Sequence, residues 1–377
     1  MKSKKYVISF AIIVMGILIS VGTLVYVVDP YFHYHKPDTE KFYYSLYNER
    51  YQNDGIVKHF EYDAIITGTS MTENFKSSEM DNLFSVNSIK VPFSGGAYKE
   101  INDNLKVAFQ SNNNIKIVLR SMDMNYFFDD SEKITAIDVD LPKYLYDKKI
   151  LNDVYYIFSK NVYKLCISRL MNRSKVGITS FDNYSNWSKN HKCGINSVLK
   201  KGSVSNDKPN EFNHLTTEDK KVIYDNIYNN VMQIANEHLD TKFYCFITPY
   251  SAVWWNQQIS NGNIYRQIEA EKYIIELLLS CDNIYLFSFN NVTDITTDLN
   301  NYIDPSHYAE WINSWMLKAM ANNEYRITYD NYNSYIENEE NFYSLYNYEE
   351  LMNQEDYNDD SYAAQLLEEW DKNRVGK

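Results

Sequence analysis

From Val7 to Val28 the chain reads VISFAIIVMGILISVGTLVYVV, 22 residues without a charge, and no other feature restricts the fold as strongly. An α-helix of that length, at ~1.5 Å per residue, covers the ~30 Å hydrocarbon core of a bilayer. A secretory signal peptide is the competing reading, but its apolar region usually runs only ~7–15 residues and leads into a small-residue cleavage site not found here. The pattern therefore predicts an uncleaved membrane anchor, and no later stretch is both long and charge-free enough to add a second span. Lys2, Lys4 and Lys5 precede the run while Asp29 and Asp38 follow it. Positive charge stays inside, so residues 1–6 form a basic cytoplasmic tip and residues 29–377 are expected outside the cell membrane.

The remaining chain has the composition of a folded protein. Of 377 residues 44% are hydrophobic, with only 11 Gly and 7 Pro, which excludes collagen-like and wholly disordered polymers. A formal charge of -13 speaks against a nucleic-acid partner, because phosphate-binding surfaces cluster Lys and Arg. The acidity is concentrated at one end. Residues 330–377 carry 13 acidic and 3 basic side chains, a net of -10, and leave the preceding chain at -3. Cys166, Cys193, Cys245 and Cys281 are widely spaced without a C-x-x-C pair, so neither a zinc ribbon nor a disulfide framework is indicated.

Short apolar runs at Ala64–Ile66, Ile115–Leu119, Phe243–Ile247 and Ile284–Phe287 read as buried strands. Helical patterns at 98–110, 219–238 and 264–280 alternate with them, which predicts an α/β domain with a mostly parallel sheet. Residues 40–50 are expected as a Tyr-rich polar helix and Asn53-Asp54-Gly55 as a turn. Residues 129–217 read as a partly helical insertion within a domain spanning 29–325, and 326–377 as an acidic, Tyr-rich tail that ends in a short amphipathic helix near 363–370.

Three windows carry residues suited to chemistry. In Asp63–Met71 a strand runs into Gly68-Thr69-Ser70 and a helix start, which lifts Ser70 to the carboxyl end of a parallel sheet, where ligands bind; Ser and Thr there also serve as ordinary N-caps. Gly95-Gly96 is the one Gly-Gly pair, a turn whose N–H groups can approach a reacting carbonyl or simply connect two elements. In Asp304-Pro305-Ser306-His307 a carboxylate can fix the tautomer of the imidazole three residues on, although Asp followed by Pro is also a standard helix opening.

The order of these windows resembles the SGNH/GDSL hydrolase superfamily, and more narrowly the membrane-anchored SGNH-like proteins of bacterial cell-envelope polysaccharide systems. Further segments carry the narrower likeness: Arg50–Gly55, Leu141–Asp147 and Thr248-Pro249-Tyr250-Ser251. The resemblance implies a flavodoxin-like three-layer α/β/α fold, Ser70 as nucleophile, Gly95 as an oxyanion glycine and Asp304 with His307 as the acid–base pair. It also implies esterase or O-acyltransferase chemistry on acyl groups of exported polysaccharide, without metal or cofactor. A membrane-bound O-acyltransferase is the implied protein partner; a non-catalytic adaptor for that enzyme or for a glycan is the alternative. In the block that commonly supplies an oxyanion asparagine the chain reads Arg120-Ser121-Met122-Asp123-Met124-Asn125. An ionised Asp123 offers only acceptors, so Asn125 or backbone N–H groups are expected to supply that donor.

Overall fold

The computed structural model describes residues 2–135, 142–147, 149–172 and 174–356. Helix α1 (Lys2–Val28) leads through strand β1 (Tyr43–Tyr44) and α2 (Glu49–His59) into β2 (Ala64–Gly68), α3 (Ser77–Phe84), β3 (Ser88–Pro92), α4 (Tyr98–Ser111) and β4 (Ile117–Met122). After β4 come the short helices α5 (Lys143–Tyr146) and α6 (Val154–Ile157), then α7 (Lys160–Met171), β5 (Gly177–Ile178) and α8 (Ile195–Lys201). Next, α9 (Thr217–Ile227) continues through a π-helical stretch into α10 (Gln233–Glu237). The remaining elements are β6 (Lys242–Ile247), α11 (Ala252–Ser260), α12 (Ile264–Leu279), β7 (Ile284–Ser288), α13 (Thr293–Thr296), α14 (Glu310–Ala321) and α15 (Tyr332–Leu345).

The main sheet is parallel throughout, in the order β3-β2-β4-β6-β7. With the sheet strands counted along the chain this is the doubly wound 2-1-3-4-5 order of flavodoxin-like folds. Its direction of winding reverses at β2, and right-handed crossovers then place α3 on one face and α4, α9–α10 and α12 on the other. The packing agrees: α3 lies against α14, while α4 packs on the π-helical stretch and α9 on α12. The result is the expected α/β fold with helices on both sides of the sheet. All residues of β2, β3 and β4 are buried, which is why these strands show continuous apolar runs rather than alternation.

Several local expectations change. Residues 40–50 are not a helix: Tyr43 and Tyr44 pair with Gly177 and Ile178, and the helix starts only at Glu49. Asn53-Asp54-Gly55 lies inside α2 and is buried, because tertiary partners outweigh local turn preference. Asn53 accepts from Tyr184 Oη at 2.7 Å and donates to the Pro92 carbonyl. At Gly55 a Cβ would lie 2.5 Å from the carbonyl oxygens of Tyr31 and Phe32, so only glycine lets the helix approach that segment. Strand β3, whose Ser88, Lys90 and Pro92 break the apolar pattern, was not anticipated, nor was α11.

The acidic end is also more ordered than its composition suggests. Helix α15 packs on α12 and α11 and buries Ile336, Glu339 and Tyr343, with Tyr343 stacked on Trp255 at a centroid distance of 4.4 Å. The amphipathic stretch 363–370 lies outside the described residues. At the other end, α1 is long and apolar enough to cross a membrane, with a mean hydropathy of 2.6 over its best window.

Candidate active site

The three sheet strands β2, β4 and β6 end side by side, and the residues that follow their carboxyl ends meet in one cavity of about 280 Å³. Ser70 comes from the turn after β2, Asp123 and Asn125 from the turn after β4, and Tyr250 from the loop after β6. The cavity lies where the winding of the sheet reverses, the usual ligand position in such folds. Asp304 and His307 reach the same cavity from the loop ahead of α14.

The chain leaves β2 through Gly68, whose φ of +149° is unfavourable for L side chains and whose missing Cβ leaves room for Ser121 and Thr72. Thr69 then caps a single 3₁₀ turn, Ser70–Thr72, by accepting the Met71 N–H at 3.3 Å. Ser70 opens that turn, and the N–H groups of a helix start lack acceptors within the helix. The turn is pinned from behind. Asn313 Nδ2 and Tyr308 Oη donate to the Met71 carbonyl at 2.9 and 3.3 Å.

Ser70 Oγ lies 2.8 Å from His307 Nε2. On the far side of the ring, His307 Nδ1 is 2.9 Å from both carboxylate oxygens of Asp304. With Nδ1 facing a carboxylate, the neutral imidazole carries its proton there and presents Nε2 as acceptor to the serine hydroxyl. Asp304 Oδ1 also accepts the backbone N–H groups of Ser306 and His307 at 3.0 and 2.9 Å. This closes a tight turn rather than capping α14, which begins at Glu310. Burial raises the Asp304 pKa, but the bond to His307, its charge and the two backbone donors outweigh burial and hold the carboxyl well below its ordinary range. All three side chains are half-buried and open to the cavity.

The expected oxyanion residues divide. Asn125 lines the cavity and accepts the Trp254 indole N–H on Oδ1 at 3.0 Å. An indole nitrogen only donates, which fixes the amide orientation and leaves Nδ2, a donor with no protein partner among the described residues, for the cavity. Gly95, at φ +60° in the turn after β3, is not among the residues lining the cavity. Its neighbour Gly96 is the sterically constrained member of the pair, since a Cβ there would meet Phe93 Cβ at 2.6 Å.

Asp123 is engaged in bracing the serine turn. Its carboxylate accepts Thr69 Oγ1 at 2.9 Å, Ser121 Oγ at 2.6 Å and, more weakly, Tyr250 Oη at 3.4 Å. Full burial raises its pKa against the lowering effect of these donors and of His307. Three hydroxyls thus occupy most of the acceptor capacity of this carboxylate.

Two contributors come from the insertion and had no local signal in the sequence. Trp187 sets its ring edge-on to His307, with centroids 5.8 Å apart, and donates Nε1–H to the Ser70 carbonyl at 3.4 Å. Lys201 Nζ stands 3.5 Å from Asp304 Oδ2 at the cavity wall. Trp187 lies in a polar stretch without periodicity and Lys201 ends the short helix α8; in both cases only the tertiary fold reveals proximity. Among the described residues no cluster of three or more His, Cys, Asp and Glu side chains is arranged to hold a metal ion.

No family model matches the chain, and neither curated proteins nor solved structures gave a match.

Proposed function

We propose that this chain is a serine acyltransferase or esterase of the SGNH type, anchored in the cell membrane by α1, and that it acts outside the membrane on acyl groups, O-acetyl first among them, of cell-surface polysaccharide. The observation that carries this reading is the relay from Ser70 Oγ to His307 Nε2 and from His307 Nδ1 to Asp304 at 2.8 and 2.9 Å, open to a cavity at the carboxyl edge of the sheet. Three lysines ahead of the apolar run support the orientation.

In the mechanism, Ser70 Oγ attacks the acyl carbonyl while its proton passes to His307 Nε2, and Asp304 stabilises the imidazolium formed. The carbonyl oxygen becomes an oxyanion that receives hydrogen bonds from the Ser70 N–H and Asn125 Nδ2. Collapse expels the donor alcohol, which takes the proton from His307 and leaves an acyl-serine. A sugar hydroxyl or water then gives its proton to His307 and attacks the acyl-serine, and collapse returns that proton from His307 to Ser70 Oγ as the new ester or the free acid leaves. Trp187 limits rotation of the imidazole between the two half-reactions.

A non-catalytic adaptor that binds a glycan or a membrane O-acyltransferase is the second reading, and the position of Gly95 away from the cavity favours it. One assay separates the two. The full chain in membranes is given p-nitrophenyl acetate with and without a de-O-acetylated cell-wall polysaccharide. An enzyme releases a burst of p-nitrophenol equal to the protein present and loses it in Ser70→Ala and His307→Gln. Absence of both a burst and continued p-nitrophenol release in the wild type, with binding to the polysaccharide intact, supports the adaptor and removes the catalytic reading.

A further inference from the structure

Residues 143–175 hold eight basic and two acidic side chains, a net of +6 in a chain of net charge -13. The same segment exposes large apolar groups: Leu151 is 90% accessible and Ile150 83%, with Val154, Tyr155 and Phe158 also exposed. Its central acid, Asp153, points inward to His33 Nε2 and Tyr34 Oη, each at 3.3 Å. An exposed apolar ridge flanked by lysines is a costly surface in water and a favourable one at an anionic bilayer.

The position of this ridge relative to α1 identifies what covers it. Helix α1 packs on α6 and α7, and a Cβ added at Gly22 would stand 3.6 Å from Ile157 Cγ2, which places Ile157 beside that turn of the helix. Gly22 lies six residues before Val28, about 9 Å along the helix axis. The junction is fixed, because Asp29 accepts Tyr156 Oη at 2.6 Å and the N–H groups of His33, Tyr34 and His35. The body therefore climbs the last two turns of the apolar helix. If those turns stood in water, Val7–Val21 would be left to span the membrane. That is roughly 22 Å of helix, too short for the ~30 Å hydrocarbon layer. The layer must reach the level of Ile157, and the insertion must enter it.

We infer that the segment carrying α6 and the start of α7 is a second, peripheral membrane contact, in which Ile150, Leu151, Val154, Tyr155 and Phe158 dip into the outer boundary of the leaflet crossed by α1. Lys149, Lys160 and Lys164 meet the phosphates of anionic phospholipid. The depth matches the ~5–10 Å at which interfacial amphipathic elements lie, and long lysine side chains place apolar stems in lipid and charge at the headgroups. The inference rests on α1 spanning the bilayer. It adds that the domain is held in a fixed attitude at the surface rather than tethered freely.

The test uses the full chain reconstituted in phosphatidylcholine vesicles containing about a quarter phosphatidylglycerol. Cys193, the native thiol that is not buried, is replaced by serine, and spin labels are placed singly at Leu151→Cys, Leu18→Cys and Leu239→Cys. Collision with oxygen reports lipid, and collision with a water-soluble nickel chelate reports solvent. The label at 151 should favour oxygen, as the label in α1 does, while the label at 239 favours nickel. A label at 151 that follows 239 while 18 reports lipid overturns the inference and leaves the anchor standing. Nickel access at 18 instead removes the anchor reading and this one with it. A label at 151 shielded from both reagents means that protein covers the ridge, which also overturns it. Replacing phosphatidylglycerol with phosphatidylcholine should shift 151 toward nickel and leave 18 unchanged; equal readings in both lipids contradict the role of the lysines.

Discussion

Asp304 shows how opposed forces set the state of one carboxyl. Burial disfavours its charge, yet the imidazole and two backbone N–H groups favour it more strongly, and the carboxyl stays ionised well below its ordinary range. A depressed carboxyl pKa contributes stability that is complete above the unfolded value of ~3.9 and is lost as pH falls through the lower folded value. Asp304→Asn should therefore remove part of the acid sensitivity of the fold, seen as a smaller change in Tm between neutral pH and about pH 4 to 2 than in the wild type. It should also lower kcat by on the order of 10⁴, since an amide no longer fixes the proton on Nδ1. Asn125→Ala removes one oxyanion donor and should cost about 10²–10³ in kcat, while the stoichiometry of acyl-serine formed at long times stays at one. Asp123→Ala acts differently: it strips the acceptor from Thr69, Ser121 and Tyr250 and should lower unfolding stability by about 1–3 kcal/mol, measured by chemical denaturation.

Among the elements, the pairing of α12 with α15 carries a second carboxyl contest, remote from the cavity. Glu271 and Glu339 are both fully buried, near Tyr335, Asn290 and Ser288. Burial lifts Glu271 to about 7 against the lowering effect of its bond with Glu339, and burial together with the Glu271 charge lifts Glu339 well above the normal carboxylic-acid range, so Glu339 holds the shared proton. A raised carboxyl pKa means that the folded state holds its proton more tightly than the unfolded one, so stability declines as pH rises from 4.5 through 7. Glu339→Gln should flatten that decline: melting curves of variant and wild type converge near pH 5 and separate in favour of the variant near pH 8. Parallel curves across that range would exclude the shared-proton account. The same helix explains why the acidic end was misread from composition. Its burying residues, Ile336, Glu339 and Tyr343, are only partly apolar, so the amphipathic pattern is faint although the packing is complete. Strand β3 was hidden for a related reason. Lys90 is buried in its middle and donates to the carbonyl of Phe75 at 2.9 Å, a partner invisible in the local sequence.

For the whole molecule, the strand–helix alternation and the 22 charge-free residues near the N-terminus were sufficient to indicate a parallel α/β fold behind an apolar helix. The meeting of Ser70 with His307, 237 positions apart, could be expected only from the resemblance, because no periodicity links them. Trp187 lies in irregular chain and Lys201 at the end of the short helix α8, and Gly95 had an attractive composition without the position to match. If α1 holds the domain in a fixed attitude, the cavity works at a set height above the membrane. Asp29→Ala, which removes the bonds that fix the junction, should then leave p-nitrophenyl acetate turnover unchanged and reduce acyl transfer to membrane-attached polysaccharide, measured on isolated envelopes. The central claim is that Ser70 is a nucleophile activated by His307. It is tested most directly by treating the full chain with a fluorophosphonate probe and mapping the adduct by peptide mass spectrometry: the account predicts one adduct, on Ser70, absent from Ser70→Ala and strongly slowed in His307→Gln, whereas an unlabelled wild type or an adduct that survives Ser70→Ala would contradict it.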